Sequence, residues 1–204
     1  MSLDGFVAGP TQSVENPLGI GGERLHEWLF PLAVFRKTHG GDGGEVNDST
    51  PVVEESLANI GATIMGRNMF GGHPGPWNTV NPWNGWWGDD PPFHHPVFVL
   101  THHPRETLTL QGGTTFTFVT DGIESALEQA RAAAGGKDVS LAGGARAAQQ
   151  YFDAGLIDEM EINLVPTLLG NGERLFTGPG DDLHGMSLVR AVATPRVTHL
   201  KFAR

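Results

Sequence analysis

VSLAGGAR, Val139–Arg146, is the stretch that decides the fold. An apolar strand runs straight into Gly143 and Gly144, and helical spacing begins at once with Ala145, Ala148 and Phe152. A strand that stops on two glycines and opens a helix leaves backbone N–H groups at the positive end of a helix dipole. A phosphate or pyrophosphate is stabilised there. The same glycines would also serve a tight strand-to-helix turn whose dihedrals glycine adopts without steric cost. Both readings stay open at the level of the local sequence.

Working outward, Ala62–Met65 reads as a short buried strand ending at Gly66, with Val97–Thr101 and Thr115–Thr120 as two more. Asp121 and Glu124 have capping-box spacing ahead of a helix with Ile123, Ala126, Leu127, Ala130 and Ala134 on one face, stopped by Gly135 and Gly136. Met160, Ile162 and Leu164 alternate with polar residues on a further strand, and Gly170 to Gly172 make a turn. Met186–Ala193 and Val197–Ala203 form an antiparallel hairpin around Thr194 and Pro195. Strands alternating with helices and closed by a hairpin predict an α/β fold with a mixed sheet, in one domain over residues 1–204.

The remaining segments are less regular. Ser2–Gly5 has turn chemistry, and Phe6–Ala8 is a short extended piece. Leu25–Phe35 has helical spacing despite Pro31, Thr38–Pro51 is a Gly/Asp/Ser loop expected to be mobile, and Val52–Ile60 predicts a helix. Gly71–Pro96 packs Trp77, Trp83, Trp86 and Trp87 among prolines, glycines and asparagines, with no period of 2 or 3.6. So long a loop is functional or disordered, and its aromatics argue against disorder. Its rings can stack a flat heterocycle or cap a hydrophobic edge.

Composition narrows the function. Thirteen basic against 23 acidic residues give a net charge of −10, which disfavours nucleic acid or an anionic membrane as partner. A small anionic cofactor still fits, because two or three local donors dominate a small pocket. The absence of cysteine excludes disulfides, thiolate metal sites and a cysteine nucleophile. No apolar run reaches the roughly 20 residues of a membrane span, and the N-terminus lacks the features of a signal peptide. The expected location is cytoplasmic.

Four positions carry candidate chemistry. Arg67 follows a strand-ending glycine, where its guanidinium forks onto a phosphate or simply lies exposed near a helix start. Thr101 ends the VFVL strand, the usual place for a ligand-facing hydroxyl in an open α/β sheet. His94, His95, His102 and His103 lack metal-ligand spacing, since adjacent residues on an extended chain point oppositely; no metal is expected, and His102 beside a phosphate is the better reading. Asp4 is a proton donor in a pocket or the polar residue of its own turn.

Taken in order, these motifs resemble the dihydrofolate reductase-like superfamily. Within it the chain is similar to the branch containing the C-terminal reductase domain of bacterial riboflavin biosynthesis and its stand-alone relatives. The resemblance rests on MSLDGF (Met1–Phe6), GATIMGRNMF (Gly61–Phe70), PVFVLTHHP (Pro96–Pro104), the long block Asp138–Phe176 and the C-terminal hairpin. It implies a three-layer αβα fold with a mixed, mostly parallel central sheet, an NADPH-dependent reductase, and a homodimer. It implies that Gly66 and Arg67 hold cofactor phosphate, that Thr101 meets the adenosine end, and that Gly143, Gly144, Ala145 and Arg146 form the pyrophosphate turn. The loop from Pro166 through Gly172, with Leu168, Leu169 and Gly170, would close over the nicotinamide, with Asp4 at the mouth of the pocket. Trp28 and Asn163 are assigned to the substrate, and Glu27 and His26 are weaker proton donors.

Three departures stand out. His102 occupies the place where relatives often have arginine, which opens the choice between NADPH and NADH. The S-L-D-G turn follows a central strand in the family, so about ten further residues before Met1 are expected. The Trp-rich insertion points to a substrate other than the riboflavin intermediate. The expected function is hydride transfer from NADPH to a small flat carbonyl or imine, pterin- or pyrimidine-like. The alternatives are 5-amino-6-(5-phosphoribosylamino)uracil reductase, and a non-catalytic nucleotide-binding or interaction protein.

Overall fold

Strands rich in valine, isoleucine and phenylalanine and helices rich in alanine alternate along the chain. In order they are β1 (Phe6–Ala8), α1 (Ala33–Thr38), α2 (Thr50–Leu57), β2 (Ile60–Gly66), α3 (Arg67–Phe70), β3 (Pro96–Leu100), β4 (Leu108–Thr109) and β5 (Thr115–Val119). Then follow α4 (Gly122–Ala134), β6 (Asp138–Gly143), α5 (Ala145–Asp153), β7 (Glu159–Leu164), β8 (Glu173–Arg174), β9 (Ser187–Ala193) and β10 (Thr198–Ala203). The computed structural model describes residues 1–178 and 183–204. These residues form two units, one of Leu57–Gln150 and one of Met1–Ser56 with Tyr151–Arg204.

In the first unit a five-stranded sheet runs β4-β5-β3-β2-β6, parallel except for the short antiparallel β4. Alternation sends Met65, Val97, Val99, Phe116 and Phe118 to one face, where Phe70 packs edge-to-face on Phe116 at 5.1 Å and on Phe118 at 5.3 Å. Trp77, Trp83 and Trp87 of the long loop lie over this face. Their company settles the loop's role as a cap. The indole N–H groups donate inward, Trp77 to the His103 carbonyl (2.8 Å), Trp83 to Phe70 (2.9 Å) and Trp86 to Met69 (3.0 Å). Such rings are committed to packing rather than offered to a heterocycle.

Helix α4 packs on β2, β3 and β6 through Ala126, Ala130 and Ala134, whose small side chains permit close approach. That approach dictates glycine at position 61, where a Cβ would stand 2.4 Å from the Ala134 carbonyl oxygen. The expected capping box is absent, because Asp121 caps no helical N–H. Its carboxylate instead takes a hydrogen bond from the Thr120 hydroxyl at 3.4 Å.

The second unit holds an antiparallel sheet, β7-β10-β9, and a two-stranded ribbon of β1 with β8. The hairpin is as expected, and its last strand also pairs with β7. Leu25, Trp28, Leu32, Val53, Val165 and Val197 form the core. The single helix expected over Leu25–Phe35 is broken into a 3-10 turn at Gly22–Leu25, a run of turns, and α1. Pro31 supplies no N–H, and Leu32 sits extended at the start of α1. Thr38–Pro51 is likewise better tied than a mobile loop. Leu32 and Glu45 form a β-bridge, and Ser49 and Thr50 are buried.

Ser49 meets a buried polar group there. His199, 1 % exposed, is held between Asn163 Oδ1 (2.6 Å from Nδ1) and the Ser49 hydroxyl (2.9 Å from Nε2), with Trp28 edge-on at 5.0 Å. Burial, then the charge of Arg190, pushes the imidazole pKa below its ordinary 6.5. The folded state therefore prefers neutral His199. Its stabilising effect is complete above about pH 6.5 and is lost as pH falls through the lower folded value. Asn163→Ala orphans the imidazole and should cost about 1–3 kcal/mol in urea unfolding. The acid-side loss of stability below pH 6.5 should shrink in His199→Gln; an unchanged profile would contradict this account.

Candidate functional site

Three parallel strands end side by side in the Leu57–Gln150 unit. Met65 is opposite Gly143 and Gly66 is opposite Leu100, so the glycine turn, the Gly66–Arg67 step and Thr101 stand in one row at the carboxyl edge of the sheet. Ligands of open α/β sheets bind at this edge. Gly143 has φ +118° and the Gly143–Gly144 peptide is cis. The first bond of α5 runs from the Ala148 N–H to the Gly144 carbonyl at 3.1 Å, leaving the N–H groups of Ala145, Arg146 and Ala147 without an intrahelical acceptor. A Cβ built on Gly144 meets no atom within 4 Å, so open space lies beside the turn. A Cβ on Gly66 would lie 3.2 Å from the Ala147 Cβ and 3.6 Å from the Gly144 nitrogen. The two glycine motifs are thus in contact distance.

The other residues expected to meet phosphate are placed as follows. Thr101 is buried, and its hydroxyl closes a local turn by accepting the His103 N–H at 3.1 Å. His102 is exposed, as is Arg146. Arg67 does not lie free in solvent. Its guanidinium stacks 3.3 Å from the Trp77 ring centroid and donates to the carbonyls of Gly71 and His73, the latter at 2.8 Å. Its Nε is buried with no partner. Among the described residues, no group of three or more His, Cys, Asp or Glu side chains is gathered for a metal ion.

In the other unit the S-L-D-G segment is a turn, as its residues predict. Ser2 accepts the Phe6 N–H at its hydroxyl (2.9 Å) and the Gly5 N–H at its carbonyl (3.1 Å), with Gly5 at φ +86°. Asp4 reaches out of this turn to the loop that the resemblance pairs with it. Its carboxylate accepts the N–H groups of Leu169 (3.1 Å) and Gly170 (2.7 Å), and the Arg174 guanidinium donates to its carbonyl (3.0 Å). A hydrogen bond from Ser2, with those two backbone donors, holds the Asp4 carboxyl down to about 2. The carboxyl expected to donate a proton is thus engaged as an acceptor of these N–H groups. The loop's Pro166 and Leu168 are exposed and Leu169 packs on the core.

The RibD C-terminal domain family model matches residues 1–200. The chain belongs to that family. It is a family of reductases. Among solved structures, a Shewanella sp. PV-4 protein described with riboflavin biosynthesis is 21 % identical and aligns over 100 % of this chain and 94 % of its own, with a TM-score of 0.61. Acinetobacter baumannii RibD, form 2, is 18 % identical over 99 % of this chain, with a TM-score of 0.54. A Thermotoga maritima diaminohydroxyphosphoribosylaminopyrimidine deaminase/5-amino-6-(5-phosphoribosylamino)uracil reductase is 14 % identical over 99 %, with a TM-score of 0.52. The chain spans 55 % and 54 % of the latter two, and these likenesses show a shared fold. No curated protein matches the sequence at a significant level.

Within this RibD C-terminal domain, two assigned substrate residues are found elsewhere. Trp28 is 6 % exposed in the core, its indole N–H given to the Leu25 carbonyl at 3.0 Å. The Asn163 side chain serves His199. Both are corrected to packing roles, because the Trp28 indole N–H and the Asn163 amide oxygen are already paired within the protein. His26 stacks on Phe30, and burial pushes its pKa down; Glu27 is exposed. Sequence reading did not single out Arg105, five residues beyond β3, whose guanidinium lies 5.1 Å from the Trp77 ring centroid and donates to Asn84 Oδ1 at 2.8 Å.

Asp4 yields a direct titration. The amide resonances of Leu169 and Gly170 should shift with a midpoint near pH 2, and this clamp is lost as pH falls through that value. A midpoint at the ordinary 3.8 would show that the carboxylate is not held by these donors.

Proposed function

We propose that this protein is a cytoplasmic NADPH-dependent reductase acting on a small flat carbonyl or imine, pterin- or pyrimidine-like. The observation that carries this reading is the row of strand ends at Gly143, Gly66 and Thr101, with open helix N–H groups and free space beside Gly144. A pyrophosphate needs closely approaching backbone and unpaired N–H donors, and the turn offers both. Bound NADPH would supply the hydride. Gly144, Ala145 and Arg146 would bind its pyrophosphate through their N–H groups, with Arg67 toward the adenosine end. Asp4 acts as a positioning residue, an anion that fixes the backbone of Leu169 and Gly170 in the loop assigned to the nicotinamide. Membership of the RibD C-terminal domain family supports the reductase chemistry.

The same reading takes the protein as a homodimer. Strand β9 is an edge of its sheet and exposes Leu188 (52 %) and Val189 (58 %), apolar side chains that an unpartnered edge ordinarily avoids. Sedimentation equilibrium at micromolar concentration should return twice the 21.8 kDa chain mass, and a monomer would remove this part.

Gly144→Asp tests the coenzyme turn. The added Cβ meets no neighbour within 4 Å, so the variant carries a carboxylate to the pyrophosphate position without a clash. NADPH binding, followed by coenzyme fluorescence, should weaken about tenfold or more. Unchanged affinity in a folded variant would overturn the assignment. Coenzyme oxidation with the pyrimidine substrate of the Thermotoga maritima reductase would assign the narrower step, whereas turnover of other flat carbonyls alone would assign a different substrate.

A further inference from the structure

The loop that Asp4 clamps ends on an Asn-Gly step. Two of the nine asparagines in the chain precede glycine, Asn84 and Asn171. At such a step the glycine nitrogen can attack the side-chain amide carbon of the asparagine, since no side chain on the following residue screens it. How fast this happens in a folded chain depends on whether the fold holds the two atoms together.

At Asn171 they are held together. The Gly172 N–H donates to Asn171 Oδ1 at 2.8 Å, so the side chain is folded back onto the peptide nitrogen that follows it. With a carbonyl bond of about 1.2 Å, the amide carbon lies within about 4 Å of that nitrogen, close to the separation from which such atoms react. The flanking residues keep this geometry. Gly170 gives its N–H to the Asp4 carboxylate at 2.7 Å. Gly172 lies against β1, where a Cβ would collide with the Ala8 carbonyl oxygen, and Glu173 pairs with Ala8 at the start of β8. Asn171 itself is exposed, which gives water access to it.

The other step is held differently. Asn84 Oδ1 accepts an N–H of the Arg105 guanidinium at 2.8 Å, so its side-chain amide is engaged by a charged donor. Gly85 lies against aromatic rings, and a Cβ there would stand 3.2 Å from Trp87 and 3.4 Å from Phe70.

We propose that Asn171 is a site of spontaneous covalent modification, and that its conversion loosens the loop clamped by Asp4. The Gly172 nitrogen bonds to Asn171 Cγ, the Cγ–Nδ2 bond breaks, and the amide nitrogen leaves as ammonia with the proton that Gly172 gives up. Water then opens the cyclic imide at either carbonyl, leaving aspartate or isoaspartate, with no net oxidation or reduction. Both products carry a new carboxylate one residue from the Gly170 N–H that Asp4 accepts, and like charges oppose each other there. Isoaspartate also routes the main chain through an extra methylene, beside a glycine already packed on Ala8. None of this requires a bound coenzyme.

Ageing the purified full chain in mildly alkaline buffer tests the proposal, with sites and products assigned by fragmentation mass spectrometry. In urea, where the fold no longer acts, both Asn-Gly steps should gain about one mass unit at rates within about threefold. In the folded protein Asn171 should convert at least about tenfold faster than Asn84. The modified fraction, separated by its added negative charge, should exchange the Gly170 amide hydrogen about tenfold faster than unaged protein. N171S cannot form the imide, and its Gly170 exchange should not change with age. Equal folded-state rates at the two steps, or an Asn171 that reacts in urea and not in the folded chain, overturn the site. Modification at Asn171 that leaves Gly170 exchange unaltered overturns the loosening of the loop.

Discussion

The rest of the Leu57–Gln150 unit depends on the parallel register that ends β6, β2 and β3 together at Gly143, Gly66 and Thr101. Parallel strands set side by side bring their carboxyl ends to one edge, and whatever follows each strand is then concentrated there. Here those followers are a helix N-terminus, an arginine and a hydroxyl turn. Glycine at position 66 is a consequence of this convergence, since a side chain there would press on Ala147 at 3.2 Å and on the turn itself. A shift of register by one residue would separate the two glycine motifs and turn the apolar residues of each strand to the opposite face.

The aromatic loop is the second constraint, and it acts on the same edge. Phe70 closes α3 and anchors the cluster beneath the loop, fully buried among Phe116, Phe118 and Trp77. Each of three indole N–H groups finds a backbone carbonyl, so the loop buries large rings without orphaning their polar atoms. The two arginines complete the attachment from the strand side. A loop held in this way fixes the positions of Arg67 and Arg105 through its backbone and Asn84.

Legibility in the sequence followed physical locality. The strand-turn-helix of Val139–Arg146 was readable because a period change and two glycines occur within eight residues, and the structure places β6, the turn and α5 there. Leu25–Phe35 misled because its apolar spacing serves a core built from turns, with Pro31 breaking the helical ladder. The Ser49–His199–Asn163 network spans 150 residues of chain, and no local pattern announces it. Asp4 was readable as a turn residue, but its partners are 165 and 166 residues away, so its clamp on Leu169 and Gly170 follows from the fold alone. Arg105 lies outside every motif, and its place beside Trp77 with Arg67 follows from the fold alone.

The central claim is that the N–H groups opening α5 hold the pyrophosphate of a nicotinamide dinucleotide. Amide resonance mapping on a labelled sample titrated with NADPH tests this most directly. The account predicts that the Gly144, Ala145 and Arg146 amides move most, and downfield, as their N–H groups gain charged acceptors. Saturable NADPH binding that leaves these three amides where they were would contradict it.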